Sequence, residues 1–147
     1  DPKKYPFHSA LNSSAEEADF SFSGIKTAVV NLMHNAAQKG ETLSKADIAA
    51  SFQRAVCDTL TLKAVHSAKE HGFNTLALAG GVSANRALRS SLARACEEQG
   101  IRFCCPDFRY CTDNAAMIAC AGHYALMAGE LSGLDLNAAP ELPLVQR

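Results

Sequence analysis

The sequence lacks the features that mark membrane, secreted and polyanion-binding proteins. No apolar run reaches the length of about 18 residues that a membrane-spanning helix needs. The first residues lead into no apolar signal core, so the expected location is the cytoplasm. The formal net charge is −1, which supplies no strong field for a polyanion, and tight unaided binding of nucleic acid is not expected.

Cysteine pairs at zinc-binding spacing are also absent. The six cysteines are Cys57, Cys96, Cys104, Cys105, Cys111 and Cys120. The last four are clustered but form no C-x-x-C pair, which makes a structural zinc a minor alternative. Without a secretory signal, reduced thiols that pack as small buried hydrophobes are the favoured interpretation.

What is present is the composition of an ordinary globular chain. It has 147 residues, of which 48% are hydrophobic and 20% charged. Polar, turn-like residues fill 1–23. Apolar positions then recur every three or four residues over 24–39, which predicts a helix with Ser23 as N-cap and Gly40 as its stop. A longer helix is predicted from Ser44, in a capping box with Asp47, to position 72.

Two short apolar runs predict buried strands in a parallel sheet. They cover 75–79 and 101–105, and the helix between them, with Ser83 as N-cap and Gly100 as its stop, predicts a right-handed crossover. A last helix over 114–127 carries an apolar stripe through Met117, Ala121, Tyr124 and Ala128, and residues 134–147 read as an extended tail. The segments are thus 1–23, 24–72, 73–133 and 134–147. Because two strands make no independent sheet, this helix-rich α/β sheet is expected to be incomplete.

The strongest chemical signal is the turn after the first strand. Gly80 and Gly81 would let the backbone approach a ligand closely, and the amides of the following helix would attract a phosphate. The motif is neither a Walker A loop nor G-x-G-x-x-G. Asn85, in the first helical turn, can donate to and accept from a ligand. A plain tight turn and a solvated Asn85 are the alternatives.

A second signal follows the second strand. Asp113 lies where a loop enters a helix, which is a position that most often caps the helix. Carboxylates at the carboxyl ends of parallel strands also meet cations and phosphates. Both Asp113 and the glycine turn are expected at the ends of neighbouring strands, facing one cleft.

Three blocks of sequence resemble the TsaD family. They are FSFSGIKT at 20–27, LAGGVSANRALR at 78–89 and CTDNAAMIA at 111–119. Members of that family are tRNA threonylcarbamoyladenosine transferases, formerly called O-sialoglycoprotein endopeptidases (Gcp). The resemblance implies an actin-like ATPase (ribonuclease H-like) fold of two lobes, of which this chain resembles the C-terminal part.

The resemblance also implies an activity and its site. The group transferred is threonylcarbamoyl, from threonylcarbamoyl-AMP to the adenosine 3′ of the anticodon in tRNAs that read codons beginning with A. Gly80 and Gly81 would face the nucleotide (threonylcarbamoyl-AMP or ATP), Asn85 would contact it, and Asp113 would be a metal ligand. No catalytic base is identifiable.

The metal site implied by the resemblance is incomplete here. In the family the Asp shares an iron or zinc ion with two histidines of an H-x-x-x-H motif, which this sequence lacks. His66 and His71 are five residues apart and point to different sides of a helix, so both are predicted on the surface. His8, His34 and His123 have no partner at ligand spacing. The chain alone is therefore expected to bind metal weakly and to be inactive.

Two other classes of function remain as alternatives. A metalloendopeptidase would need a site such as H-E-x-x-H, and the sequence has none. A noncatalytic interaction module fits the long helices, since the resemblance implies a paralogous actin-like partner (TsaB) and a small ATPase (TsaE). Uncovered sheet edges and apolar helix faces also predict self-association of the chain.

Overall fold

A computed structural model describes residues 1–7 and 19–138 and divides the chain into two compact units, 1–112 and 113–147. The described residues of the first unit form three α-helices and two strands. These are α1 (Ser23–Lys39), α2 (Lys45–Glu70), β1 (Thr75–Ala77), α3 (Arg86–Glu98) and β2 (Arg102–Cys104). The second unit contains α4 (Ala115–Met127).

The two strands pair in parallel, as the sequence predicts. Thr75 lies opposite Arg102 and Ala77 opposite Cys104, and the amide of Leu78 extends the ladder by donating to Cys104. Both strands are three residues long, shorter than the runs 75–79 and 101–105. The described residues provide only this two-stranded sheet, and the expected helix-rich α/β class is confirmed.

The core of the first unit lies where α2 and α3 pack on this sheet. Leu88, Leu92 and Cys96 form the buried stripe of α3, at positions i, i+4 and i+8. Cys57 and Val65 of α2 pack against them. Burial raises the pKa of the Cys57 and Cys96 thiols, which keeps both protonated and unreactive.

The helix ends show which sequence signals were correct. Gly40 ends α1 with φ 68°, a conformation that favours glycine. The hydroxyl of Ser44 accepts from the Asp47 amide at 3.2 Å, which confirms that N-cap. Ser23 is not the N-cap of α1, because the helix begins at Ser23 itself. Phe22 occupies the cap position with no side-chain capping bond.

The N-terminal segment is held against α2 by the capping aspartate. The Asp47 carboxylate accepts from the Lys4 ammonium at 2.6 Å. Ser51, which is buried, donates to the carbonyl of Asp1 and accepts from the amide of Tyr5. The Lys4 hydrogen bond holds the pKa of Asp47 well below its usual range.

The helix α4 differs from the other helices in having no buried residue. Its predicted apolar stripe is exposed, with Met117 at 45% and Tyr124 at 69% of their maximal exposure. An uncovered apolar helix face, which the sequence predicts, is thus present on α4 among the described residues. Among those residues no helix is long and apolar enough to cross a membrane.

Candidate functional site

The turn after β1 is open and requires glycine at its first position. Gly80 has φ 85°, which favours a residue without a Cβ, and its carbonyl accepts from the Ser83 amide at 2.9 Å. A Cβ added to Gly80 or Gly81 would meet no atom within 4 Å. The side of the turn on which a Cβ would lie is therefore open, as it also is at Gly40, Gly72 and Gly100.

A short 3₁₀ turn, Gly81–Ala84, separates the glycines from α3 and changes the capping residue. Asn85, and not Ser83, is the N-cap: its Oδ1 accepts from the Ala87 and Leu88 amides at 2.9 and 3.1 Å. Ser83 is instead fully buried, and its hydroxyl has no hydrogen-bond partner among the described residues.

The cap has a consequence for phosphate binding. The amides of Ala87 and Leu88 are among those that the sequence analysis offers to an anion at the start of α3. Since Asn85 already occupies both, an approaching phosphate would have to displace its side chain. A nucleotide at the backbone of Gly80 and Gly81 would leave this cap in place; that position, like contact through the amide nitrogen of Asn85, stays a prediction.

The loop after β2 forms the second part of the site. It passes through a 3₁₀ turn, Phe108–Tyr110, and Cys111, which is 3% exposed. The Tyr110 amide donates to Asp107 at 2.9 Å. The first unit ends at Thr112, directly after the buried Cys111. This loop is therefore the last segment of the first unit before Asp113.

Arg89 joins the two loops, a role that the sequence analysis does not assign. Its guanidinium donates to the Ser83 carbonyl in the first loop and to the Pro106 carbonyl in the second. It also donates to the sulfurs of Cys105 and Cys111 at 3.4 and 3.1 Å. One side chain thus satisfies acceptors in both loops, and its planar fork suits such multiple bonding.

Asp113 does not cap α4. Asn114 takes that position, and its Oδ1 accepts from the Met117 amide at 2.9 Å. The capping alternative for Asp113 is therefore wrong by one residue. The Asp113 side chain is exposed at the start of the second unit, whereas Gly80, Gly81 and Asn85 lie together on one turn of the first.

The described residues do not form a metal site. Within 1–7 and 19–138, no three His, Cys, Asp or Glu side chains are grouped so that they could hold an ion. All six cysteines are free; Cys105 and Cys120 are exposed, so burial is a wrong prediction for both. A single carboxylate such as Asp113 does not fit an iron or zinc ion, which requires further ligands.

The histidines also stay apart from any such group. His34, His71 and His123 are exposed and His66 is half-buried, 3.9 Å from Glu70. His71 nevertheless has a role at the end of α2, where its ring nitrogen lies 2.9 Å from the Ser67 carbonyl. His8 lies outside the described residues.

Beside the glycine turn lies an apolar groove of about 790 Å³, another feature that the sequence analysis missed. Phe20, Phe22, Phe52 and Phe73 contribute to its lining. Lys63 in its wall is 1% exposed and donates to the Asp19 carbonyl at 2.7 Å. The sequence does not indicate that this lysine is buried. The helical period places Lys63 among the apolar positions of α2, but lysine is ordinarily a surface residue.

Comparison with known proteins identifies the family. The model of TsaD, tRNA N6-adenosine threonylcarbamoyltransferase, matches residues 2–120. The chain belongs to this family. The predicted resemblance is thus confirmed, and family membership supports the actin-like fold class.

Curated relatives carry the same name and are longer. The protein of Caldicellulosiruptor saccharolyticus is 46% identical over 147 residues, which is 100% of this chain and 43% of that protein. That of Moorella thermoacetica is 44% identical over 143 residues, 97% of this chain and 42% of the relative. That of Staphylococcus aureus is 46% identical over 126 residues, which is 86% of this chain and 37% of the relative. The chain thus spans about two fifths of the length of these relatives.

Proposed function

We propose that this chain is the C-terminal, nucleotide-facing part of a tRNA N6-adenosine threonylcarbamoyltransferase. The whole protein would transfer threonylcarbamoyl from threonylcarbamoyl-AMP to the adenosine 3′ of the anticodon in tRNAs that read codons beginning with A. The observation that carries the proposal is the family match over residues 2–120. A tRNA substrate implies that the whole protein works in the cytoplasm.

The reaction joins the N6 amine of the adenosine to the carbonyl carbon of the carbamoyl group. The carbon–oxygen bond to the phosphate breaks, AMP leaves, and the amine loses a proton. The protein must therefore hold the nucleotide and orient the amine toward the carbonyl carbon. The open backbone of Gly80 and Gly81 would receive the nucleotide, and Asn85 would contact it through its amide nitrogen.

Arg89 would position this site without touching the substrate. By bonding to Ser83 and Pro106 it fixes the glycine turn relative to the loop that leads to Asp113. Such fixed geometry matters because small displacements of reacting groups lower rates strongly. Arg89 is therefore a positioning residue in this proposal.

The proposal includes an iron or zinc ion in the whole protein, for which this chain would supply one ligand, Asp113. The described residues do not supply the other ligands, so no step of the reaction is derived through the ion. We propose that the chain is inactive alone and works with the remaining sequence of the whole protein. TsaB and TsaE, as the partners of the family, belong to the same proposal.

The metalloendopeptidase alternative is not favoured. The sequence has no H-E-x-x-H, and the relatives are named as transferases. One feature favours the interaction-module alternative, namely the exposed apolar residues of α4. In the isolated chain, these residues should cause self-association. Analytical ultracentrifugation should detect concentration-dependent dimers, whereas a monodisperse monomer would count against self-association.

A chimaera tests the transferase proposal. Residues 1–120 would replace the matching segment of the Caldicellulosiruptor saccharolyticus relative, and transfer of labelled threonylcarbamoyl to tRNA would be measured. We expect activity from the chimaera and background levels from its Asp113→Ala variant. Arg94→Ala, on an exposed face of α3, is the matched control and should retain activity. A folded chimaera without activity would refute the proposal.

A further inference from the structure

A surface of arginines and aromatic rings lies on the loop after β2. We define the arginine–aromatic surface as Arg86, Phe108, Arg109 and Tyr110. Phe108 and Tyr110 are 52% and 40% exposed, so both rings are accessible to a ligand. Neither ring contributes to the hydrophobic core.

The arginines are placed on the ring faces. The guanidinium carbon of Arg109 lies 4.6 Å from the Tyr110 ring centre, and that of Arg86 lies 5.7 Å from the Phe108 ring centre. The guanidinium carbon of Arg89, which joins the two loops, lies 4.2 Å from the Phe108 ring centre. These cation–π contacts hold the rings in place, so a ligand stacking on them would meet a preorganised surface.

The charge of this surface is locally positive although the chain has a net charge of −1. Arg86 forms no ion pair with the described residues, and Arg109 is 3.8 Å from the carboxylate of Asp107. That ion pair is exposed on both sides, and such pairs contribute little to stability. Both guanidinium groups can therefore donate to a phosphate from their positions on the rings.

The surface lies next to the proposed reaction site. Phe108–Tyr110 follows β2, and Arg86 follows the glycine turn after β1, so both come from the carboxyl ends of the parallel strands. Arg89 ties the same two loops together. A macromolecular substrate that reaches the glycine turn would pass this surface.

We propose that the arginine–aromatic surface binds single-stranded RNA, with an unpaired base stacked on Phe108 and phosphates bound by Arg86 and Arg109. Exposed rings beside arginines are the groups that recognise unstacked bases in single-stranded RNA. The inference rests on the proposed tRNA substrate. Because few arginines are involved, the contact adds to binding and does not replace the grip of other parts of the whole protein.

The absence of tryptophan provides a direct test. In the 147-residue chain, Phe108→Trp would introduce the only indole, and a base stacked on it should quench its fluorescence. Phe73→Trp is the matched control, since Phe73 is 64% exposed and precedes β1, at the opposite end of the strands. The probe is a short single-stranded oligoadenylate, compared with an RNA duplex of equal length and with AMP.

We expect oligoadenylate to quench Phe108→Trp and to leave Phe73→Trp unchanged. The duplex and AMP should quench less, because the duplex keeps its bases stacked and AMP offers a single phosphate. Anisotropy of labelled oligoadenylate should show binding about tenfold weaker for Phe108→Ala, the loss expected for one base–ring stack. Circular dichroism would confirm that the variants fold.

Three results would overturn the inference: no quenching of Phe108→Trp by oligoadenylate, equal quenching of both tryptophan variants, or AMP as effective as the RNA. The proposed function can fail separately. A chimaera without transfer activity refutes the function while quenching of Phe108→Trp still supports the RNA surface. A chimaera whose Phe108→Ala variant modifies tRNA like the unmodified chimaera refutes the surface alone.

Discussion

Two helices of equal length, α3 and α4, show how differently the two units of this chain are stabilised. Each has 13 residues and an asparagine N-cap, Asn85 or Asn114. In α3 the apolar residues form one stripe that is buried against α2 and the sheet. In α4 apolar residues occur all round the helix and none is buried. The first helix finds its partners in this chain, whereas the second presents an uncovered surface.

The largest effect should come from removing one buried side chain of α3. Leu92 is 3% exposed, and Leu92→Ala should lower the free energy of unfolding by about 2–5 kcal/mol, because it leaves a cavity in the core. Urea unfolding followed by circular dichroism measures this loss. The matched change on α4 is Leu126→Ala, at 59% exposure, and should cost less than about 0.5 kcal/mol. Equal losses would show that α4 is as well packed as α3.

The two caps should have smaller and separable effects. Asn85→Ala should destabilise the first unit by about 1 kcal/mol, since the Ala87 and Leu88 amides lose their acceptor. Asn114→Ala should reduce the helicity of α4, since the Met117 amide loses its acceptor. Amide exchange resolved by residue distinguishes the two variants. If exchange of the α4 amides were unchanged in Asn114→Ala, the cap would not stabilise that helix.

Acid should weaken the first unit through Asp47, whereas α4 contains no carboxylate. The pKa of Asp47 is lowered in the folded chain, so its contribution is present above the ordinary aspartate value of about 4 and is lost as pH falls below it. Asp47→Asn should therefore flatten the acid side of the stability profile. The Asp58→Asn control, in an exposed pair with Arg54, should keep the profile unchanged. An unaltered profile in Asp47→Asn would contradict the assignment.

The helices, the parallel strand pair, the Ser44 cap and the family could be predicted from the sequence, but the N-caps of α1, α3 and α4 could not. Ser, Asp and Asn have similar capping preferences, so a run such as 83–85 or 112–114 offers several candidates. Because residues 81–84 form a 3₁₀ turn, α3 begins only after Asn85, which makes Asn85 its N-cap. The formation of that turn depends on tertiary packing and not on the local sequence alone. A local pattern therefore fixes the cap only within two residues.

The role of Arg89 was also beyond prediction from a single sequence. Its acceptors lie six residues before it and 17 residues after it, and they meet only when β1 and β2 pair. The exposed apolar stripe of α4 shows a related limit of sequence patterns. Periodicity predicts which face needs cover, but it does not show that the cover belongs to the same chain.

The central claim is that Arg89 holds two loops in one arrangement at the carboxyl ends of the strands. The direct measurement is residue-resolved amide hydrogen exchange of the unmodified chain, Arg89→Ala and the Arg94→Ala control. The account predicts faster exchange in Arg89→Ala at Ser83 and Tyr110 together, with the Leu92 and Cys96 amides in the core unchanged. Faster exchange in one loop alone, or in neither, would contradict it.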